Sequence, residues 1–251
     1  MMRMQGRKML ITGGASGIGL ASARRMASEG ARVALLDQDA AGLAAAASEL
    51  GEAAFTVRAD VTDETGVRSA VSEAVGALQG LDGLVNAAGT SLWRSLVDMT
   101  LEEWRHILSI NLDGPFIVTK AALPALRASG KATIVNIASG AGLQPRQNFS
   151  AYCASKGGLV LFTKSIAMDL AADNIRVNAV CPGIVMTPLV ERNLALTGDR
   201  EAAYQRYVSR NLMQRFGTAD EVADAVLYLS CDESSFITGS ALSMDGGSVF
   251  H

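Results

Sequence analysis

The sequence predicts an α/β fold, with a doubly wound parallel sheet of about seven strands and helices on both of its faces. Two observations lead to this prediction: short apolar runs alternate with longer Ala-rich segments, and a glycine-rich turn joins the first run to the first helical segment. Strands and helices that alternate in this way build parallel sheets, because each parallel connection crosses over through a helix. With 49% hydrophobic and 19% charged residues among 251, the chain can form one such domain, so we predict a single domain over 1–251.

The predicted strands are short runs rich in β-branched and apolar residues, as is typical of strands buried on both faces. They lie at 8–12, 31–37, 53–60, 83–89, 132–139, 175–183 and 241–247. Segments of helical length and period occupy 18–29, 40–50, 64–79, 100–128, 151–172 and 218–230. Thr218 and Glu221 form a capping-box pattern, and Ser150 is a candidate cap for the helix after it. The polar stretch 187–217 exceeds a usual connection of about 4–6 residues, so we expect it to cover a substrate site.

Composition argues against several classes of function. The net charge of −3, with both signs scattered along the chain, provides no basic stripe for nucleic acid. Cys153, Cys181 and Cys231 form no C-x-x-C pair and are odd in number, which disfavours a zinc ribbon or a disulfide framework. Two histidines, His106 and His251, are too few for a His-rich zinc site, and we expect both to be surface or packing residues. No apolar run approaches the 18 or so residues of a membrane span, so a cytoplasmic protein without metal is expected.

The glycine-rich turn is a candidate phosphate site. Thr12 ends the first predicted strand, and the chain then reads Gly13-Gly-Ala-Ser16-Gly17-Ile18-Gly19 as it enters the first helix. Glycines permit a tight turn and let backbone N–H groups approach a pyrophosphate, while the helix N-terminus favours negative charge. A generic glycine turn is the alternative, and the position of these glycines at the first strand–helix junction weakens it.

Asp37 ends the second predicted strand, 18 residues beyond Gly19. An acidic side chain at this distance can accept hydrogen bonds from ribose hydroxyls and would repel a 2′-phosphate, which favours NAD over NADP. Neither Ser16 nor Gln38 offers the cation that an NADP site requires. The alternative is a helix-capping aspartate, because Asp37 also precedes a helix.

These residues form part of a larger ordered set, and over essentially the whole chain the sequence resembles the short-chain dehydrogenase/reductase family. The similar segments are Thr12-Gly13-x-x-x-Gly17-x-Gly19, Asp60-Val61, Asn86-Ala87-Ala88-Gly89, Asn111, Ser139, Tyr152 with Lys156, and Pro182-Gly183 through Thr187. One departure is Val85, which stands where the family's motif has a first asparagine. The resemblance implies a Rossmann-type fold and hydride transfer between NAD(H) and a secondary alcohol or ketone.

The resemblance also implies roles for individual residues. Tyr152 would be the general acid/base, Lys156 would hold the nicotinamide ribose, Ser139 would donate to the substrate oxygen, and Asn111 would stabilise a kink and a water. A cation about 6 Å from Tyr152, at an effective dielectric constant of ~20, favours the phenolate by roughly 2.8 kcal/mol, so we expect Lys156 to lower the tyrosine pKa by about two units. Backbone at Val185 and the Thr187 side chain would bind the nicotinamide carboxamide.

Simpler interpretations of four of these residues stay open. Ser139 suits a strand-end serine, Asn111 a buried amide bonded only to backbone, Thr187 a turn threonine, and Asp60 a turn or helix-start residue. The fold-level alternative is an NAD-binding sensor or scaffold without turnover.

The substrate itself is not identified by the sequence. Candidate contacts are Trp93, Ser139, Gln144, Phe149 and Met186, from segments expected near the nicotinamide. Polyols, hydroxy acids, 3-oxoacyl thioesters and cyclic alcohols all stay open, and Arg146 and Arg192 offer cations that loops more often leave solvated. The resemblance further implies a homo-oligomer, most often a tetramer, and the small residues Ala154, Gly157 and Gly158 permit close helix packing.

Overall fold

A computed structural model describes residues 2–195 and 198–249, and it has the predicted α/β architecture. The main sheet is parallel and contains seven strands in the spatial order β3-β2-β1-β4-β5-β6-β9. These strands are β1 (Lys8–Thr12), β2 (Arg32–Asp37), β3 (Ala54–Arg58), β4 (Gly83–Asn86), β5 (Ala132–Ile137), β6 (Ile175–Pro182) and β9 (Ala241–Met244). A separate parallel pair joins β7 (Val185–Met186) to β8 (Gly217–Thr218).

The helices cover both faces of the sheet. They are α1 (Gly17–Ser28), α2 (Ala40–Leu50), α3 (Glu64–Leu78), α4 (Leu101–Leu108), α5 (Gly114–Ala128), α6 (Ser150–Asp169), α7 (Pro188–Ala195), α8 (Arg200–Val208) and α9 (Ala219–Ser230). Within the described residues, the structure contains no helix long and apolar enough to cross a membrane.

Successive residues of β1 show why the sheet needs helices on both sides. Met9 and Ile11 belong to the apolar cluster that contains side chains of α1 and α9, whereas Leu10 belongs to the cluster with side chains of α3 and α5. Neighbouring side chains of a strand point to opposite faces, so an all-apolar strand requires cover on each. The predicted doubly wound parallel sheet is confirmed.

The predicted helical segment 100–128 is interrupted around Asn111, where the family resemblance implies a kink. The structure has α4, then a π-helical turn over Ser109–Asp113, and then α5. Pro115 lies in the first turn of α5, where its missing N–H is tolerated, and Asn111 at the centre of the π turn is fully buried. Side-chain bonds made by Asn111 hold this widened turn, as described below.

Two smaller expectations about helix starts have opposite outcomes. Thr218 and Glu221 make both bonds of a capping box at the start of α9, as predicted. Ser150 does not cap α6, because it is already the first helical residue and its buried hydroxyl has no hydrogen-bond partner. The N-cap position falls on Phe149 instead.

The stretch 187–217 contains more structure than a loop. Its helices α7 and α8 share a small apolar cluster, in which Leu194, Ala203, Val208 and Phe216 are buried. This cluster lies beside the pair of β7 and β8, so the segment packs as a unit at the carboxyl end of the sheet.

Candidate active site

The strand order reverses between β1 and β4, and a cleft of about 570 Å³ lies beyond the carboxyl ends of these strands. Ligands of doubly wound sheets bind in the crevice at such a switch point. Most of the residues expected to bind the cofactor line this cleft, namely Gly13, Ser16, Gly17, Ile18, Gly19, Asp37, Asp60, Val61, Ala88, Gly89, Tyr152, Lys156, Pro182, Gly183, Val185 and Thr187.

The glycine loop forms a cradle with no room for side chains at three of its positions, Gly13, Gly14 and Gly19. Gly13 has φ +66°, and a Cβ there would lie 2.8 Å from the Ala88 nitrogen; a Cβ on Gly19 would overlap the Gly13 carbonyl oxygen. Thr12 holds the opposite wall, because its hydroxyl accepts hydrogen bonds from the N–H groups of Ala87 and Ala88, both at 3.1 Å. Thr12 was recognisable from the sequence as part of the glycine-rich motif, but these two hydrogen bonds were not predicted, because they join groups 75 and 76 residues apart along the chain.

Asp37 is free of the capping role that the sequence left open. Asp39, not Asp37, caps α2 by accepting from the N–H groups of Ala41 and Gly42, both at 3.1 Å. The Asp37 carboxylate accepts from the Ala15 N–H (3.1 Å) and the Asp39 N–H (3.0 Å) and lines the cleft. A carboxylate has about four acceptor sites, so Asp37 retains capacity for ribose hydroxyls. The narrow glycine cradle and this carboxylate together fit an adenine dinucleotide.

Two residues of the family-like motifs have structural partners of their own. Asp60 accepts from the Thr62 N–H (2.9 Å) and hydroxyl (2.8 Å), so it is a turn residue as well as part of the cleft wall. Asn86 is buried and donates to Thr119 (3.2 Å) and Asn136 (2.8 Å). Asn86 is outside the set of described residues that line the cleft, and its side-chain N–H groups connect β4 to α5 and β5.

Tyr152, Lys156 and Ser139 meet at one end of the cleft. Tyr152 and Lys156 are one turn apart on α6, and the Lys156 Nζ lies 5.8 Å from the centre of the Tyr152 ring. Lys156 is only 4% exposed and donates to the Ile137 carbonyl at 2.8 Å. Ser139 shares a side-chain hydrogen bond with Tyr152 and also accepts from the Ala141 N–H at 3.1 Å. The Ser139 hydroxyl therefore faces the phenol as well as the backbone.

The expected lowering of the Tyr152 pKa is wrong for the protein without ligand. Burial raises the pKa of Tyr152 above its ordinary 10.0, and the hydrogen bond with Ser139 only partly opposes this effect. Burial also lowers the pKa of Lys156 from 10.5 to about 8. The calculation from the sequence counted only the attraction between the two charges, whereas the fold removes both groups from water, and burial is the largest effect on the pKa of each. At neutral pH the site therefore holds a protonated phenol beside an ammonium group.

Lys156 makes stability depend on pH, and this is a first testable prediction. Its folded pKa of about 8 lies below the ordinary 10.5, so between these values the unfolded chain binds more protons than the folded chain. The free energy of unfolding consequently gains a contribution that grows as pH rises from about 8 and reaches about 3 kcal/mol. Lys156→Met should abolish this rise in urea unfolding at a series of pH values.

The exposed Lys164 on the same helix provides the matched control. Lys164→Met should keep the wild-type rise, because an exposed ammonium loses little hydration on folding. The same pH dependence in wild type and Lys156→Met would contradict a buried, desolvated cation at this position.

Asn111 connects the wall of the cleft to the helix that carries Tyr152. Its side chain accepts from the Thr90 N–H and donates to the Thr90 carbonyl, both at 2.9 Å, and donates to the Ser155 hydroxyl at 3.1 Å. The interpretation of an amide bonded only to backbone is therefore wrong. A Cβ placed on Gly89 would lie 3.3 Å from the Asn111 Oδ1 and 3.5 Å from the Lys156 Nζ, so both polar groups approach the same point.

The segment after β6 closes the cleft from the opposite side. A Cβ on Gly183 would lie 2.7 Å from the Asp245 Cα, and the Gly183 N–H donates to the Met244 carbonyl at 3.0 Å. Thr187 lies across the cleft from the glycine loop, since a Cβ on Gly17 would be 3.8 Å from its side chain. The Thr187 hydroxyl accepts from the Val190 N–H at 3.4 Å, which accounts for a turn role alongside its place in the wall.

The expected substrate contacts separate into two groups. Trp93 and Phe149 stack beside Tyr152, with ring centres 5.4 Å apart, and Phe149 lies 4.4 Å from the Tyr152 ring centre. Met186 packs against the apolar cluster of α7 and α8, and Gln144 accepts from Arg146 at 3.2 Å.

His106 of α4 and Arg192 of α7 both line the cleft. Arg192 was considered from the sequence as a cation that could meet an anionic substrate. The His106 side chain is exposed, as expected of a surface residue, and nothing in the sequence indicated that it lies at the cleft, because that depends on how α4 packs.

The sheet order and the cleft at its switch point define a protein of the Rossmann-type α/β class. A family model described as enoyl-(acyl carrier protein) reductase matches residues 13–249. The chain belongs to the short-chain dehydrogenase/reductase family.

Relatives of known name match nearly end to end. The 2-(S)-hydroxypropyl-CoM dehydrogenase 3 of Xanthobacter autotrophicus is 38% identical over 248 residues, 98% of this chain and 97% of that protein. The 3-oxoacyl-[acyl-carrier-protein] reductase FabG of Thermotoga maritima is 38% identical over 251 residues, 99% and 100% of the two chains. Cyclopentanol dehydrogenase of a Comamonas species is 38% identical over 248 residues, 98% of each chain. The family and these relatives support an oxidoreductase that acts on CH–OH groups.

Proposed function

We propose that this protein transfers a hydride between NAD(H) and a secondary alcohol or ketone, with Tyr152 as the general acid/base. The observation that carries the proposal is the position of Tyr152, bonded to Ser139 and beside the Lys156 ammonium, in the same cleft that begins at the glycine loop. A cofactor held along that cleft would reach the residues that handle the substrate proton.

The residues divide the proton chemistry among them. NAD(H), when bound, supplies or accepts the hydride. In reduction, Tyr152 donates its phenolic proton to the carbonyl oxygen as negative charge develops there, and Ser139 donates a hydrogen bond to the same oxygen. The Lys156 ammonium favours the phenolate that remains. In oxidation the phenolate takes the alcohol proton back. The raised pKa of Tyr152 keeps its proton at neutral pH, which suits the reductive direction.

The preference for NAD rests on charge. The Asp37 carboxylate would repel a 2′-phosphate, and neither Gln38 nor Ser16, which line the same part of the cleft, carries a compensating cation. The Arg58 guanidinium lies nearby, yet it donates to the Gln38 carbonyl at 3.1 Å and is not among the described residues of the cleft wall.

We also propose that the protein is a homo-oligomer and that the segment 187–217 covers the active site. Exposed apolar side chains on α5 and α6, Phe116, Leu161 and Met168, support association with further copies of the chain as a homo-oligomer, which we take to be a tetramer. The segment 187–217 would cover the bound substrate, and we place the protein in the cytoplasm.

A direct assay tests the proposed reaction. We expect reduction of NAD⁺ with secondary alcohols and oxidation of NADH with the matching ketones, both followed by the absorbance of the reduced nicotinamide. The control is the Lys164→Met variant, which changes a residue outside the described lining of the cleft and should turn over substrate like the wild type. NADH that binds tightly, measured by its fluorescence, without turnover of any alcohol or ketone would instead indicate a non-catalytic sensor or scaffold.

A further inference from the structure

Three aromatic rings form a continuous row that leads away from the acid/base. Phe149 stacks on Tyr152 with ring centres 4.4 Å apart and an interplanar angle of 28°. Trp93 follows at 5.4 Å from Phe149, with an angle of 37°. We call the pair Trp93 and Phe149 the aromatic platform. Neither ring is among the described residues that line the cleft, and the platform adjoins the site through the contact of Phe149 with Tyr152. Its two residues lie on the segments after β4 and before α6.

Backbone and ionic contacts hold the platform in place. The Arg94 N–H donates to the Asn148 carbonyl at 2.8 Å, which joins the two residues adjacent to the platform rings. Asn148 has φ +57°, a left-handed conformation that asparagine tolerates better than most residues. The Arg94 guanidinium bonds to Glu103 at 2.8 Å, and Glu103 belongs to the capping box of α4. The ring stack therefore follows from a fixed loop geometry.

The Trp93 ring is 49% exposed, so part of the platform remains open to a ligand. The two loops that carry the platform also carry Arg94 and Arg146, and both of these cations already have partners. The Arg146 guanidinium donates to Gln144 Oε1 (3.2 Å) and to the Ser248 carbonyl (3.4 Å). With Arg94 paired to Glu103, these two arginines have internal partners and do not call for an anionic substrate.

We propose that the aromatic platform binds the non-reacting apolar ring of the substrate, so that aryl and cyclic secondary alcohols and their ketones are the preferred class. The inference rests on the proposed function and narrows its substrate. A stacked aromatic contact raises affinity by about two- to tenfold beyond the effect of buried area. Polyols and hydroxy acids would have to remove hydroxyl or carboxylate groups from water against a surface that offers no hydrogen-bond partner, so we expect them to bind less well.

The test compares four ketones with NADH: acetophenone, cyclohexanone, a short open-chain ketone and a 2-oxo acid. We expect the first two to have the highest kcat/KM. Trp93→Leu should lower kcat/KM for acetophenone about tenfold, mainly through KM, and change the open-chain ketone less than about twofold. Trp93 is the residue of choice because Phe149, not Trp93, touches Tyr152. Phe236→Leu, at a fully exposed ring, is the matched control.

Two results would overturn the inference while leaving the oxidoreductase in place. One is a preference for the 2-oxo acid that Arg192→Gln removes, which would assign an anion site to α7. The other is an equal loss with all four ketones in Trp93→Leu, which would make Trp93 merely structural.

A binding experiment keeps the inference testable if no ketone is turned over. Acetophenone should quench tryptophan fluorescence of the NADH-loaded wild type, and Trp93→Leu should lose that quenching while Trp104→Phe keeps it. Absence of turnover together with retained quenching would reject the proposed reaction and support the platform. Absence of quenching would reject the platform.

Discussion

Tyr152→Phe is expected to lower kcat by about 10²–10⁴-fold while the affinity for NADH changes less than about twofold. The substitution removes the hydroxyl that exchanges the proton and keeps the ring that stacks on Phe149. The hydrogen bond with Ser139 is lost, but the Lys156 Nζ still donates to the Ile137 carbonyl, so the cleft retains its shape. Turnover with a ketone and direct titration of NADH fluorescence measure the two effects separately.

Tyr228→Phe is the control, because Tyr228 lies on α9 and is outside the described lining of the cleft. It should retain wild-type turnover. Turnover by Tyr152→Phe within tenfold of wild type would remove Tyr152 as the acid/base.

The pH dependence of wild-type turnover provides a second test of Tyr152 as the acid/base. Reduction needs the phenol and oxidation needs the phenolate, so reduction should fall and oxidation should rise as pH passes the Tyr152 pKa. Burial raises that pKa above 10.0 in the ligand-free protein. The Lys156 ammonium loses its proton as pH rises past about 8, which is before Tyr152 ionises.

Asp37→Ala is expected to lower the ratio of kcat/KM for NAD to that for NADP roughly a hundredfold. A carboxylate about 5 Å from a 2′-phosphate charge, at an effective dielectric constant of ~20, repels it by about 3 kcal/mol, and alanine removes this repulsion. The N–H groups of Ala15 and Asp39 lose their acceptor, but Asp37 itself lines the cleft, so water can occupy the space that its carboxylate leaves.

Activity need not be the only measurement for Asp37. ADP-ribose and its 2′-phosphate, titrated by calorimetry, should show the same reversal of preference without turnover. Asp39→Asn is the matched control. The Asp39 carboxylate accepts hydrogen bonds from the first N–H groups of α2, and asparagine can cap the helix in the same way. An unchanged NAD/NADP ratio in Asp37→Ala, or an equal shift in Asp39→Asn, would contradict a specific ribose contact.

Much of the fold and part of the site follow from local patterns in the chain. The alternation of apolar runs and helical segments placed all seven strands of the main sheet within a few residues of their observed positions. The glycine turn and Asp37 were recognisable because strand ends of a parallel sheet meet at one edge, where spacing alone indicates a nucleotide site. Tyr152 and Lys156 lie on one helix face, as positions one turn apart must.

Local sequence patterns could not predict contacts between segments that are distant along the chain. Asn111 holds its π turn through Thr90 and Ser155, which lie 21 and 44 residues away along the chain. Asn86 faces Asn136 in the interior although its motif suggested a ligand contact, and the row from Trp93 to Tyr152 joins two separate loops to α6. Residue order does not reveal which side chains meet across such separations.

The sequence by itself determined the class of fold, the edge of the sheet that holds the site and the residue types available there. Only the tertiary structure decided that Asp39 rather than Asp37 caps α2, and that the Tyr152 pKa rises rather than falls. The pKa of Tyr152 depends on which groups folding removes from water, and the capping role depends on which carboxylate meets the N-terminus of α2. Both are set by the packing of the folded chain, which the order of residues does not reveal.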